Sequence, residues 1–171
     1  SPAAARAQRA PVTTPVQVLS INPLGLILPF FSIEYEYALS PTSSGAVTAS
    51  YYNEGNSNSR DFRHYSLDAK YRLFPGEQAP AGFSVGITAG FTYVHDADAS
   101  CSPTDDCANE KRNGAALSTG LEVNHGWLFG SRREFAVGVG VGAKRLYFLG
   151  DRPSGVDRVE PTLRLSVGKA F

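Results

Sequence analysis

Every second residue from Phe83 to Tyr93 is apolar or aromatic: Phe83, Val85, Ile87, Ala89, Phe91 and Tyr93. The residues between them, Ser84, Gly86, Thr88, Gly90 and Thr92, are small or polar. A side-chain period of two puts one set on each face of an extended strand, whereas a helix would scatter both around its circumference. The same period recurs in Phe135–Val141, in Leu163–Phe171 and, less regularly, through Ile33–Leu39 and Tyr65–Leu73. Leu117, Leu121 and Val123 mark another segment, Val47–Tyr52 a shorter one, and Val16–Leu28 an irregular apolar one with a bulge expected at Asn22-Pro23-Leu24-Gly25. These segments predict eight strands, approximately 16–28, 31–39, 45–53, 62–74, 82–95, 113–128, 133–149 and 158–171. Several exceed the ~5–6 residues of an ordinary globular strand.

The expected fold is all-β: an eight-stranded antiparallel up-and-down transmembrane β-barrel over residues 16–171, preceded by a flexible periplasmic arm over residues 1–15. Connections after the second, fourth and sixth strands are short (Ser40–Ser44, Pro75–Ala81, Gly130–Arg132). Those after the third, fifth and seventh are longer and polar (Asn53–Asp61, Asp96–Arg112, Gly150–Asp157). Short periplasmic turns and long outer loops are the asymmetry of outer-membrane barrels, although the link near Leu28-Pro29-Phe30 is shorter than that rule asks. Aromatics fall near both strand ends, with Tyr51, Tyr52, Tyr65, Tyr93 and Tyr147 toward the loops and Phe74, Phe83, Trp127, Phe129, Phe135 and Phe171 toward the turns. Such girdles form where amphipathic rings meet membrane interfaces.

The opposite face carries Glu34, Glu36, Asp68, Lys70, Arg72, Glu122, Lys144, Glu160 and Arg164, five acids and four bases among Gly and Ser, with no Leu, Val or Ile packing expected there. A soluble barrel turns its charges outward, so this face is expected to line a closed interior. Buried charges must be paired. The expectation is therefore a cross-barrel salt-bridge network without an open pore, with the long side chains fitting opposite Gly138, Gly140 and Gly142.

Composition narrows the function classes. Sixteen basic and sixteen acidic side chains exclude the basic excess of a nucleic-acid binder. No run of ~18 apolar residues offers a transmembrane helix. The chain has no methionine, so it reads as a processed chain or one excised from a longer one. It opens on an Ala/Pro/Arg/Thr-rich stretch in which Ala5-Arg6-Ala7 has the small-x-small form of a signal-peptidase site, the expected tail of an export signal, without an apolar h-region before it. Cys101 and Cys107, its two cysteines, are expected to close a polar loop by a disulfide in an oxidising compartment. Neither metal nor cofactor spacing is present, and the adjacent Asp105-Asp106 lacks the ordered ligand series of a Ca²⁺ loop.

Ile21-Asn22-Pro23-Leu24 leading into Ile33-Glu34-Tyr35-Glu36-Tyr37, then Tyr71-Arg72-Leu73-Phe74 and the terminal strand ending in Phe171, resemble small outer-membrane barrels of the OmpA/OmpX type and an uncharacterised bacterial group of similar barrel domains. The resemblance implies a fold, a place in the bacterial outer membrane and bilayer lipid as a partner. It further implies that Phe171 serves as the signal to the barrel-assembly machinery. It implies no reaction and no cofactor. His64-Tyr65-Ser66 resembles the His-x-Ser pair of lipid A deacylases, where a base-activated Ser would hydrolyse an ester. Asp68 follows two residues later, and the expected register turns all three inward. The favoured expectation is a non-enzymatic structural, adhesive or scaffold subunit acting through its outer loops or through an arm ordered by a protein partner. The alternatives are that hydrolase and a soluble lipocalin-like carrier, whose barrel would be apolar inside and polar outside.

Overall fold

The computed structural model describes residues 17–26, 29–56, 60–76, 78–98, 113–150 and 157–171. Eight strands form one closed antiparallel barrel in chain order: β1 (Gln17–Ile21), β2 (Phe30–Ser40), β3 (Ser43–Asn56), β4 (Arg60–Leu73), β5 (Gly82–Asp98), β6 (Asn113–Phe129), β7 (Phe135–Phe148) and β8 (Val159–Ala170). Each strand pairs with its sequence neighbours, and β1 closes the ring on β8 through Val18↔Ala170 to Ile21↔Val167. Beyond the ladder, Phe171 donates its N–H to the Gln17 carbonyl at 3.0 Å and accepts from Gln17 N at 3.1 Å. Both ends of the barrel chain therefore meet the turns 41–42, 74–81 and 130–134 at one rim, the turn end. The strand ends Ile21, Asn56, Asp98 and Phe148 lie at the other, the loop end.

The first strand is shorter than the sequence suggests. Proline has no N–H for a ladder, and the Asn22 Oδ1 accepts from Leu24 N at 2.9 Å, so a 3-10 turn (Pro23–Leu26) replaces the expected continuation to residue 28. The connection to β2 thus lies at the loop end like its counterparts, and the short link near Pro29 ceases to be an exception. The reverse holds at Asn53–Asp61. There the β3–β4 ladder runs on to Asn56↔Arg60 and leaves only residues 57–59 between the strands. Because β1 stops at Ile21, β8 from Val159 to Ser166 has a ladder partner on its β7 side alone among the described residues. Pro161 sits in that one-sided stretch, where a missing N–H costs least.

Parity decides what faces where. Outward positions carry Ile33, Leu67, Ile87, Leu121, Val141 and Leu163, with Ile87 58% and Leu121 66% exposed. Inward positions carry Glu34, Glu36, Asp68, Arg72, Glu122 and Lys144, all buried. Two expectations need correction. Tyr52 and Phe74 do not join the aromatic rims: each follows an outward-facing residue, so Tyr52 lines the interior and Phe74 is buried. The interior also does contain apolar packing, at both ends. Val94, Ala116 and Leu146 cluster toward the loops with Phe148, and Val18, Ala136 and Ala170 toward the turns with Leu128.

Glycine makes room for the inward charges. A Cβ at Gly90 would collide with the Asp68 carboxylate and the Leu67 carbonyl, and one at Gly138 would lie 2.6 Å from Arg164 Nη1. Replacing Gly90 by Val should lower the unfolding free energy of the refolded barrel by about 1–3 kcal/mol, read from its urea midpoint. Replacing the unobstructed Gly76, where an added Cβ meets nothing within 4 Å, should change it far less.

Candidate functional site

The inward side chains meet in one layer across the middle of the barrel. The Arg72 guanidinium, with its side chain 1% exposed, lies among three carboxylates. Its Nη1 donates to Glu34 Oε1 at 2.9 Å and Glu36 Oε2 at 2.8 Å, its Nη2 to Glu34 Oε2 at 2.9 Å, and its Nε to Glu122 Oε1 at 2.5 Å. Arginine is the side chain with enough donors in a fixed plane to serve three acids at once. Lys70 adds contacts to Glu34 at 2.9 Å and Glu122 at 3.3 Å, and Arg164 reaches Glu34 at 2.7 Å from β8. Three acids and three bases, drawn from β2, β4, β6 and β8, thus neutralise one another across the ring. Hydroxyls complete the acceptors, with Ser44 Oγ donating to Glu36 at 2.5 Å and Thr48 Oγ1 to Glu34 at 2.8 Å.

A second pair stands closer to the loops. Lys144 Nζ lies 3.3 Å from Asp68 Oδ2, and Asp68 also accepts from Ser66 at 2.9 Å and Ser118 at 3.2 Å. The layer separates two spaces of unequal size. Toward the turns is a void of about 20 Å³ beside Arg72, Glu36 and Asn124. Toward the loops is a cavity of about 920 Å³ whose lining includes Glu34, Lys70, Asp68, His64 and Glu160.

Eight of the nine charged residues expected inside are joined by ion pairs. Glu160, half-buried and opposite Lys144 in the β7–β8 ladder, has no ion-pair partner among the described residues. Cys101 and Cys107 lie outside the described residues, as does the arm 1–15. Phe171 points outward at the turn end. His64 and Ser66 both line the loop-end cavity, but they are not hydrogen-bonded to each other. Ser66 Oγ instead donates to Asp68 and shares a 2.8 Å contact with Ser50 Oγ, while His64 Nε2 has no partner among the described residues.

The supporting hydroxyls of Ser44 and Thr48 escaped the sequence reading, as did Asn124, which is buried opposite Gly140. Their signal was parity alone. Ser44 stands opposite Arg72 and Thr48 opposite Glu34 and Asp68, which is visible only once the register of β3 is known.

A family model described as a protein of unknown function, DUF3575, matches residues 6–151. The chain belongs to the DUF3575 family. No curated protein and no solved structure matches it. The matched stretch covers β1 to β7 of this DUF3575 barrel and contains every member of the central charge layer except Arg164, which β8 supplies.

Removing one partner of a buried ion pair is costly because the other charge stays buried. Arg72→Ala should therefore destabilise the DUF3575 barrel by about 3–5 kcal/mol in chemical denaturation. Lys70→Ala should cost clearly less, since Glu34 and Glu122 both keep Arg72. Equal losses in the two variants would contradict the central place given to Arg72.

Proposed function

We propose that this chain is an integral barrel of the bacterial outer membrane, of the small OmpA/OmpX type, that performs no chemistry. In this reading it acts as a structural, adhesive or scaffold subunit through its outer loops or its N-terminal arm. The observation that carries this reading is the inverted distribution of its side chains. Leu, Val, Ile and aromatic residues cover the outside of a closed barrel whose inside holds paired charges. In water that arrangement exposes a continuous apolar surface far beyond the few hundred Å² soluble monomers tolerate, whereas in hydrocarbon it is the stable one. Closure of the ladder leaves no strand edge to the bilayer except beside the loop-end cavity, where irregular backbone is tolerated.

The outward aromatics support the same placement. Tyr65, Tyr93 and Tyr147 are exposed toward the loops, and Phe83, Trp127, Phe129, Phe135 and Phe171 toward the turns. Bilayer lipid is then the first partner of the barrel. The assembly machinery, reading β8 and its closing Phe171, is the second, and a protein that orders residues 1–15 the third. A lipocalin-like carrier requires the opposite sidedness. For the hydrolase, Ser66 engaged by Asp68 and Ser50 has no hydrogen bond to His64, so the base that would make it a nucleophile is not in place.

Leu121 lies at the centre of β6 and is the test position. Leu121→Arg should cost about 2–4 kcal/mol of folding free energy into vesicles if it faces the midplane of the bilayer. It should also reduce recovery of the chain in the outer-membrane fraction. The proposal fails if Leu121→Arg leaves both unchanged, or if the wild-type chain stays monodisperse without detergent.

A further inference from the structure

The cavity of about 920 Å³ at the loop end is the part of the interior that the charge layer does not fill. It is of the size of small-molecule sites, which run to ~1,000 Å³. Its charges do not balance. Of its described lining, Glu34 and Glu122 pair with Lys70, Glu34 also pairs with Arg164, and Asp68 pairs with Lys144. Glu160 on β8 and Asp157 just before it line the same space without an ion pair, so among the described residues the lining has five carboxylates to three bases, Lys70, Lys144 and Arg164.

Above Ile21 no strand stands between β8 and β2 among the described residues, and Glu160 and the start of β2 line the same cavity beside the 3-10 turn. There Phe30 and Tyr52, opposite each other in the β2–β3 ladder, supply aromatic surface to the lining. Two polar atoms of the lining, His64 Nε2 and Thr88 Oγ1, are buried without a hydrogen-bond partner among the described residues. Residual carboxylate charge with aromatic rings is the donor set that recognises an organic ammonium, by Coulomb attraction in a partly desolvated site and by the ring quadrupole. An anion would meet uncompensated carboxylates. A bare metal ion would need more ligands, and no group of three His, Cys, Asp or Glu able to hold one exists among the described residues.

We propose that the loop-end cavity binds an organic ammonium group, with Glu160 as its counter-ion and Phe30 and Tyr52 as its aromatic wall. The same chemistry is presented by soluble amines and by amine-bearing lipid headgroups.

The test is calorimetric titration of the folded barrel in maltoside micelles, whose headgroups carry no ammonium. The probes are putrescine, short-chain phosphatidylethanolamine, short-chain phosphatidylglycerol, and potassium chloride at matched ionic strength. At least one amine should bind saturably, and phosphatidylglycerol and potassium should not. Glu160→Gln should weaken that binding about tenfold or more, and Phe30→Leu should weaken it by a smaller factor. Putrescine binding would identify a soluble amine as the ligand, and binding of phosphatidylethanolamine alone a headgroup. Circular dichroism and urea midpoints of the variants separate loss of the site from loss of the fold. Absence of binding by both amines, equal affinity in Glu160→Gln, or displacement by potassium at matched ionic strength would overturn the proposal. None of these outcomes depends on where the barrel resides, so the membrane placement stands or falls separately.

Discussion

The Arg72 guanidinium and the three carboxylates around it are the constraint on which the rest of the barrel depends. A full charge deep in a protein is tolerated only where partners replace its hydration. Here the partners come from strands distant in sequence, Glu34 and Glu36 from β2 and Glu122 from β6. Satisfying them fixes which side of β2, β4 and β6 faces inward. With a side-chain period of two, it therefore also fixes that Ile33, Tyr35, Tyr71, Leu73, Leu121 and Val123 face outward. Slipping any of these strands by one residue would expel the charges into the outer surface and bring the apolar set inside with nothing to match the remaining ions. Register is thus specified from the interior, by electrostatics, where a soluble barrel would specify it by apolar packing.

The same layer divides the interior into unlike halves. Below it, the turn end is closed by small apolar residues, Val18, Ala136 and Ala170, with Phe74 buried near them. Above it, Val94, Ala116 and Leu146 fill the side formed by β5, β6 and β7, and the remaining space becomes the cavity. That asymmetry traces to the chain itself. A five-residue β1 ended by Asn22-Pro23 leaves the upper part of β8, where Glu160 lines the cavity, without a second ladder partner among the described residues. Carboxylates and aromatic rings lining one large cavity are the physical basis for assigning a ligand site there.

Much of this was legible in the sequence because period-two patterning is local. Phe83–Tyr93 and Phe135–Val141 announce both their conformation and their sidedness, and the inward charges follow by parity. Strand ends were less legible. Val16–Leu28 reads as one apolar stretch, and only the proline and the Asn22 side-chain hydrogen bond end the strand at Ile21. Asn53–Asp61 reads as a loop by composition, yet ladder hydrogen bonds continue through it. Tyr52 and Phe74 show the limit of composition most directly. Their ring chemistry suggested a membrane rim, but their position beside an outward neighbour turns them inside. The pairing pattern was beyond the sequence altogether: that Arg72 serves Glu34, Glu36 and Glu122 while Lys144 serves Asp68 depends on tilt and register. So does the lack of an ion-pair partner for Glu160 among the described residues.

The claim beneath the whole account is that the outer surface of the barrel lies against acyl chains. Trp127, the single tryptophan of the chain, reports on it directly because it is outward-facing, 41% exposed, and near the turn-end rim. Its fluorescence should be measured after refolding into vesicles made with and without lipids brominated close to the ester end of the chain. The account predicts blue-shifted emission that the brominated lipids quench strongly. Emission at the position of a water-exposed indole, equally bright in both vesicles, would contradict it.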